Sequence, residues 1–277
     1  MTDYLLKARG IEVTYGAGGV FGKSGGHKVL HGVDMDIKRG EIVGIVGESG
    51  SGKTTLGRAL LRLVDTSAGD IHFDGENITR LPDNRMRPLR RRMQMIFQDP
   101  MASLNPRHSI RRILVEPMLL HGLASNAAEA ETKVLKILER FTLPKVVLGR
   151  NAHELSGGQR QRVGIARAAL LEPDFVLADE IVSGLDVSTQ AQVLNLMKDL
   201  ARDMGLAMAF ISHDLSVIRA ICDRVYVLRF GKVVEAGRCE EVFAAPKSAY
   251  TRALLDAIPL PEIDPEWLER EALPEVQ

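Results

Sequence analysis

Three short stretches of the chain are apolar at every position: Ile42-Val43-Gly44-Ile45-Val46, Phe175-Val176-Leu177-Ala178, and Leu206 to Ile211. Runs of that length with no polar break predict strands buried on both faces, as in a sheet covered by helices. Elsewhere the apolar positions alternate. Leu6 to Tyr15 (Ile11, Val13, Tyr15) and Val29 to Ile37 (Val33, Met35, Ile37) predict half-buried strands, with a shorter one at Ala68 to Gly75 and another at Met93 to Phe97. Arg224 to Phe230 and Lys232 to Glu235 predict a hairpin turning at Gly231. Helical spacing returns at Thr55 to Leu63, Ala127 to Phe141 (Val134, Leu135, Leu138, Phe141), Gln159 to Leu171 and Ser188 to Met204. Buried strands alternating with helices argue for an α/β fold with a mostly parallel sheet. The early alternating strands predict an N-terminal antiparallel β-subdomain. The proline-punctuated middle, about 101–170, predicts an inserted α-helical subdomain, its most helical part running from Met101 to Glu154.

Composition narrows this picture. A chain of 277 residues can bury roughly three quarters of its surface as one core with attached subdomains. It holds no apolar run near the roughly 18 residues a membrane span needs. The segment Met1 to Gly10 carries Asp3 and a short apolar patch, so it is not expected to be a secretion signal. Thirty-six Lys and Arg balance thirty-six Asp and Glu, which leaves no global positive field to draw in nucleic acid. Arg85, Arg87, Arg90, Arg91 and Arg92 are dense locally and are read as a charged solvated stretch. Cys222 and Cys239 are read as packing residues. The glycine-rich insert after Tyr15 is expected to be a mobile surface loop, and the proline-rich acidic tail from Pro259 a loosely packed extension.

The chemistry starts at Gly47-Glu48-Ser49-Gly50-Ser51-Gly52-Lys53-Thr54, followed by Thr55. The pattern G-x-x-x-x-G-K-T between a buried strand and a helix builds a phosphate-binding loop. Glycines let backbone N–H groups point inward, and the helix adds its positive end. Lys53 reaches the β/γ-phosphates, and the Thr54 hydroxyl is a ligand for Mg²⁺. At the end of the second buried strand, Asp179 is placed to hold Mg²⁺ through water, and Glu180 to orient and deprotonate an attacking water. Ser156-Gly157-Gly158-Gln159 opens a helix as a second anion site. One nucleotide does not need two such sites, so the economical reading gives the second to a nucleotide held by another chain.

In order and separation, Gly47 to Thr54, Gln98, Leu155 to Gln159, Phe175 to Glu180 and His213 resemble the Walker A, Q-loop, signature, Walker B and switch-histidine elements of ABC transporter ATPases. The resemblance covers nearly the whole chain. It implies a P-loop NTPase (RecA-like) core over residues 1–245, with 246–277 as a C-terminal extension, and ATP and Mg²⁺ as bound cofactors. It further implies that Tyr15 stacks on adenine, that Gln98 touches Mg²⁺ and reports to a membrane subunit, that His213 contacts the γ-phosphate, and that Asp186 addresses the opposite site. Phe97 to Arg107, Ser212 to Val217 and Ala249 to Leu255 are similar to the dipeptide/oligopeptide and nickel importer ATPases, and the glycine-rich insert to the second of their two paralogues. The partners implied are a paralogous ATPase subunit (a homodimer being the other option), two transmembrane permease subunits and, indirectly, an extracytoplasmic solute-binding protein. Nucleic acid is not among them. The place implied is the cytoplasmic face of the bacterial inner membrane, peripherally. Ile181 and Gly184 depart from the subfamily, which has Pro and Ala there, and are expected to loosen the backbone. The tail has no cysteine after Cys239, so no iron–sulfur cluster is expected. A soluble ABC ATPase acting on nucleic acid or ribosomes is the rival reading; a small-molecule kinase would leave Ser156 to Gln159 without a task.

Overall fold

The computed structural model describes residues 4–16 and 26–257. It opens with β1 (Tyr4–Tyr15), β2 (His27–Lys38), β3 (Ile42–Val46), α1 (Lys53–Leu60), β4 (Ala68–Phe73), β5 (Glu76–Asn77) and α2 (Asp83–Arg92). Then come β6 (Met93–Ile96), α3 (Pro100–Ser103), α4 (Ile110–Leu120), α5 (Ala127–Arg140), two 3-10 turns and α6 (Gly157–Ala169). The chain continues through β7 (Phe175–Asp179), α7 (Val187–Met204), β8 (Ala207–Ile211) and α8 (Leu215–Ile221). It closes with β9 (Arg224–Arg229), β10 (Lys232–Arg238), α9 (Cys239–Ala244) and α10 (Ala249–Asp256).

The strands form two sheets. One has the order β2-β1-β4-β5 and is antiparallel. The other has the order β10-β9-β3-β8-β7-β6, parallel throughout except for the β9-β10 hairpin. The uninterrupted apolar strands have the reason the pattern predicted: successive side chains point to opposite faces, and both faces are covered. Val176 and Ala178 of β7, with Met208 and Phe210 of β8, join the core under α6, α7 and the helical subdomain. Phe175 and Leu177, with Ala207, Ala209 and Ile211, join the core shared with α1 and the antiparallel sheet. Helix α1 lies between the two sheets, burying Leu56, Ala59 and Leu60.

The arginine-rich stretch is not simply solvated. It is helix α2, and three of its arginines tie elements together. Arg90 donates to the carbonyls of Leu61 and Arg62 after α1. Arg91 donates to Leu171 O at 3.2 Å, and Arg92 pairs with Asp74 and Asp174. Each guanidinium meets oxygens that a turn would otherwise leave to solvent, so this charge serves internal joints. Cys222 and Cys239 are free and buried as expected, and burial pushes the Cys239 thiol up to about 12.

The stretch after residue 245 is continuous with the core as far as it is described. Glu235 of β10 accepts from the backbone N–H groups of Lys247 and Ser248 at 2.8 and 3.0 Å, and Tyr250 and Thr251 of α10 are buried. Residues 17–25 of the glycine-rich insert, and the tail from Pro259, lie outside the described residues. Among the described residues, no helix is long and apolar enough to cross a membrane.

Candidate active site

Strand β3 delivers the loop and α1 leaves it. Gly47 has φ +147°, and a Cβ there would sit 2.1 Å from the Leu228 carbonyl oxygen, so only glycine lets the loop pass β9 this closely. Gly47 and Ser51 are buried, and Glu48 is exposed. The inner side of the loop, from Ser49 and Gly50 to Lys53, Thr54 and Thr55, lines a cleft of about 620 Å³. The Lys53 ammonium turns back onto the loop, donating to Gly47 O and Glu48 O, each at 2.8 Å. Burial lowers its pKa, against the pull of Glu180 and Asp179.

Two carboxylates stand at the C-terminal end of β7. Asp179, 5% exposed, accepts from the Thr54 hydroxyl at 3.3 Å; its desolvation raises its pKa despite that bond. A buried carboxylate, a hydroxyl and the nearby Gln98 amide are hard oxygen donors of the kind Mg²⁺ takes, and the cation would offset the cost of burying that charge. These residues therefore fit the ion.

Glu180 leaves β7 at φ +48°, a conformation L-residues rarely adopt. Three contacts hold it: its N–H donates to Ile211 O at 2.9 Å, its carbonyl accepts from Ser183 Oγ at 2.9 Å, and its carboxylate accepts from Gln98 Nε2 at 3.1 Å. His213 Nδ1 lies 3.5 Å from the same carboxylate. Gln98, Glu180 and His213 all line the cleft beside the loop. A carboxylate in that position can orient a water against a bound phosphate.

His27 and Val29 of β2 also line the cleft. No motif marks His27 in the sequence; the pairing of β2 with β1 carries it to the cleft. Tyr15 pairs with His27 across the hairpin and is 43% exposed, but it does not line the cleft.

Other expected site residues also lie outside it. Ser156 caps α6, its hydroxyl accepting from Gln159 N at 3.3 Å while the Gln159 side chain accepts from Ser156 N at 3.2 Å. Ser156 and Gly157 are exposed. Asp186 caps α7 and accepts from Thr189 N at 2.9 Å and from the hydroxyls of Ser188 and Thr189, which hold its carboxyl well below the usual range. Gly158 and Gln159 follow Ser156 on that same helix tip. A single chain thus has a glycine-rich cradle and a second helix tip, at Ser156, that its own cleft does not use.

At Ile181, where the subfamily has proline, the side chain is 1% exposed and packs in the main core with Val182. Gly184 has φ +76°, which any side chain would strain.

Comparison with known proteins bears on this arrangement. The ABC transporter family profile matches residues 30–183. The chain is 53% identical over 260 residues to a putative peptide import ATP-binding protein of Brucella ovis, covering 94% of this chain and 80% of that one. It is 46% identical over 258 residues to the oligopeptide transport ATP-binding protein OppF of Streptococcus mutans, covering 93% and 82%. Among solved structures, a dimeric ATP-binding cassette in a post-hydrolysis state bound to ADP and Pi superposes with a TM-score of 0.76 at 28% identity, covering 84% of this chain and 98% of that one.

Proposed function

The chain belongs to the ABC transporter family, and from that premise we propose that it is the ATP-binding and ATP-hydrolysing subunit of a bacterial importer for di- or oligopeptides. The observation that carries the reading is the Glu180 carboxylate, held by Gln98 at 3.1 Å beside the Lys53 loop. The loop and the α1 N-terminus receive the triphosphate. Lys53 exchanges its two carbonyl partners for phosphate oxygens; Thr54, Asp179 and Gln98 would hold Mg²⁺, whose positive charge would offset charge on the phosphates. Glu180 takes the proton of the attacking water, a role worth about 10²–10⁴ in rate. His213, beside that carboxylate, faces where the terminal phosphate would lie.

The exposed Ser156–Gln159 tip and Asp186 are assigned to a nucleotide held by a second ATPase subunit, the favoured partner being a paralogue of this chain. Closure of the pair over ATP drives two permease subunits at the cytoplasmic face of the inner membrane, with Gln98 and the helical subdomain carrying the motion. An extracytoplasmic solute-binding protein completes the system indirectly. The peptide names of the 53% and 46% identical relatives support the solute class. Tyr15, at the open end of β1, is left to the adenine.

The test is Glu180→Gln in the assembled transporter: ATP still binds, and turnover falls at least about 10²-fold. Turnover within threefold of wild type would remove Glu180 from its role. Isolation from membranes with permease subunits supports the importer, and isolation with ribosomes or DNA supports the rival reading.

A further inference from the structure

Helix α10 reaches back to the phosphate loop. Near its start, the Tyr250 hydroxyl, 7% exposed as a residue, accepts a hydrogen bond from Glu48 N–H at 3.0 Å. That N–H belongs to the peptide joining Gly47 to Glu48. The carbonyl of the same peptide, Gly47 O, accepts from Lys53 Nζ at 2.8 Å. One peptide plane is therefore held at both edges, by a phenol and by an ammonium.

The phenol is itself well anchored. The Arg229 guanidinium lies 4.7 Å from the centre of its ring. Ser248 caps α10 by accepting from Tyr250 N at 3.2 Å, and Glu235 accepts from Lys247 N and Ser248 N just upstream. Burial raises the Tyr250 pKa, so the oxygen stays a neutral hydroxyl. None of these residues lines the cleft.

We propose that Tyr250 is a positioning residue for the phosphate loop, holding the Gly47–Glu48 peptide in place when Lys53 leaves its carbonyls to meet a phosphate. This rests on the ATP-binding reading above. When Lys53 moves, the carbonyl edge of the peptide loses its cation and only the N–H edge remains held. Glu48 O also accepts from Ser51 N at 3.2 Å, so rotation of this residue would disturb the turn from which the inward N–H groups are built. Donors that are already aimed bind an anion without reorganising, so losing the brace weakens nucleotide binding. The C-terminal helix thereby acts on ATP affinity without touching ATP.

The experiment uses Tyr250→Phe in the full chain, which keeps the ring and its Arg229 contact and removes only the acceptor. ADP affinity is measured by calorimetric titration with Mg²⁺, amide exchange at Glu48 without nucleotide, and steady-state ATPase kinetics in the assembled transporter. The expected result is an ADP Kd and an ATP KM raised about three- to tenfold, with kcat moving less than twofold. Exchange at Glu48 rises at least about tenfold, with β1 and β3 unaffected. Wild-type affinity in the variant overturns the proposal, as does an exchange increase spread evenly over loop, β1 and β3. Absence of ADP binding in the wild-type chain overturns instead the reading on which the proposal rests.

Discussion

Gln98 and Glu180 meet at 3.1 Å, the amide of one donating to the carboxylate of the other, although 82 residues separate them in the chain. The bond joins the end of β6 to the end of β7, two neighbours in the parallel sheet. Gln98 Nε2 also lies 3.4 Å from Ser183 Oγ, so one amide reaches both the residue facing the cleft and the turn behind it.

Gln98→Ala removes this orienting contact while leaving the loop intact. The expected outcome is a fall in kcat of about tenfold with ADP affinity in Mg²⁺-free buffer within threefold of wild type, measured by steady-state ATPase assay and titration. An unchanged kcat would show that Glu180 needs no help from Gln98.

Asp179 gives a prediction with a definite pH sign. Its folded pKa is raised by desolvation, so between its ordinary value of 3.8 and that raised value the folded chain holds more protons than the unfolded chain. Stability therefore falls as pH rises through this window, and the cost is fully present above it. Asp179→Asn keeps a partner for Thr54 but removes the buried charge. In Mg²⁺-free buffer at neutral pH it should raise the thermal midpoint, and the gain should shrink as the pH falls toward 4. The same variant should lose Mg²⁺-dependent ATPase activity. A lower midpoint would mean that Asp179 is held by its attraction to Lys53 more than it is penalised by burial.

The Ser156 tip lies outside the cleft of its own chain, so damage there should spare binding and stop turnover. Ser156→Arg is expected to leave the ADP Kd of the isolated chain within threefold of wild type and to reduce ATPase activity of the assembled transporter at least about 10²-fold. Weakened ADP binding by the isolated chain would place the tip in the chain's own site.

Two loop glycines with positive φ should respond differently to alanine. At Gly47 a Cβ meets the Leu228 carbonyl oxygen at 2.1 Å, whereas at Gly50, with φ +80°, nothing lies within 4 Å. Gly50→Ala should cost about 1–2 kcal/mol, from backbone strain alone. Gly47→Ala should cost more than about 3 kcal/mol because β9 must also shift. Urea denaturation of both variants measures the difference; equal costs would mean that the loop moves freely away from β9.

Much of this protein can be read locally. Two-residue alternation marks the antiparallel strands, and unbroken apolar runs mark β3, β7 and β8, because the direction of a strand side chain depends on residue parity alone. Gly47 to Thr54 declares an anion cradle for the same reason, since its glycines, its lysine and the helix after it are contiguous. The arginines of α2 misled because their partners, the carbonyls of Leu61, Arg62 and Leu171 and the carboxylates of Asp74 and Asp174, come from elements distant in the chain.

His27 reached the cleft only through the pairing of β2, and Tyr250 reached Glu48 across 202 residues. Composition and spacing carry no trace of either contact. Short-range order follows from backbone sterics and the period of burial, which neighbouring residues impose on one another. The approach of Gln98, Glu180 and His213, and the hold of α10 on the loop, come from packing two sheets and their helices into one body, where a side chain's partners are set by which surfaces close together.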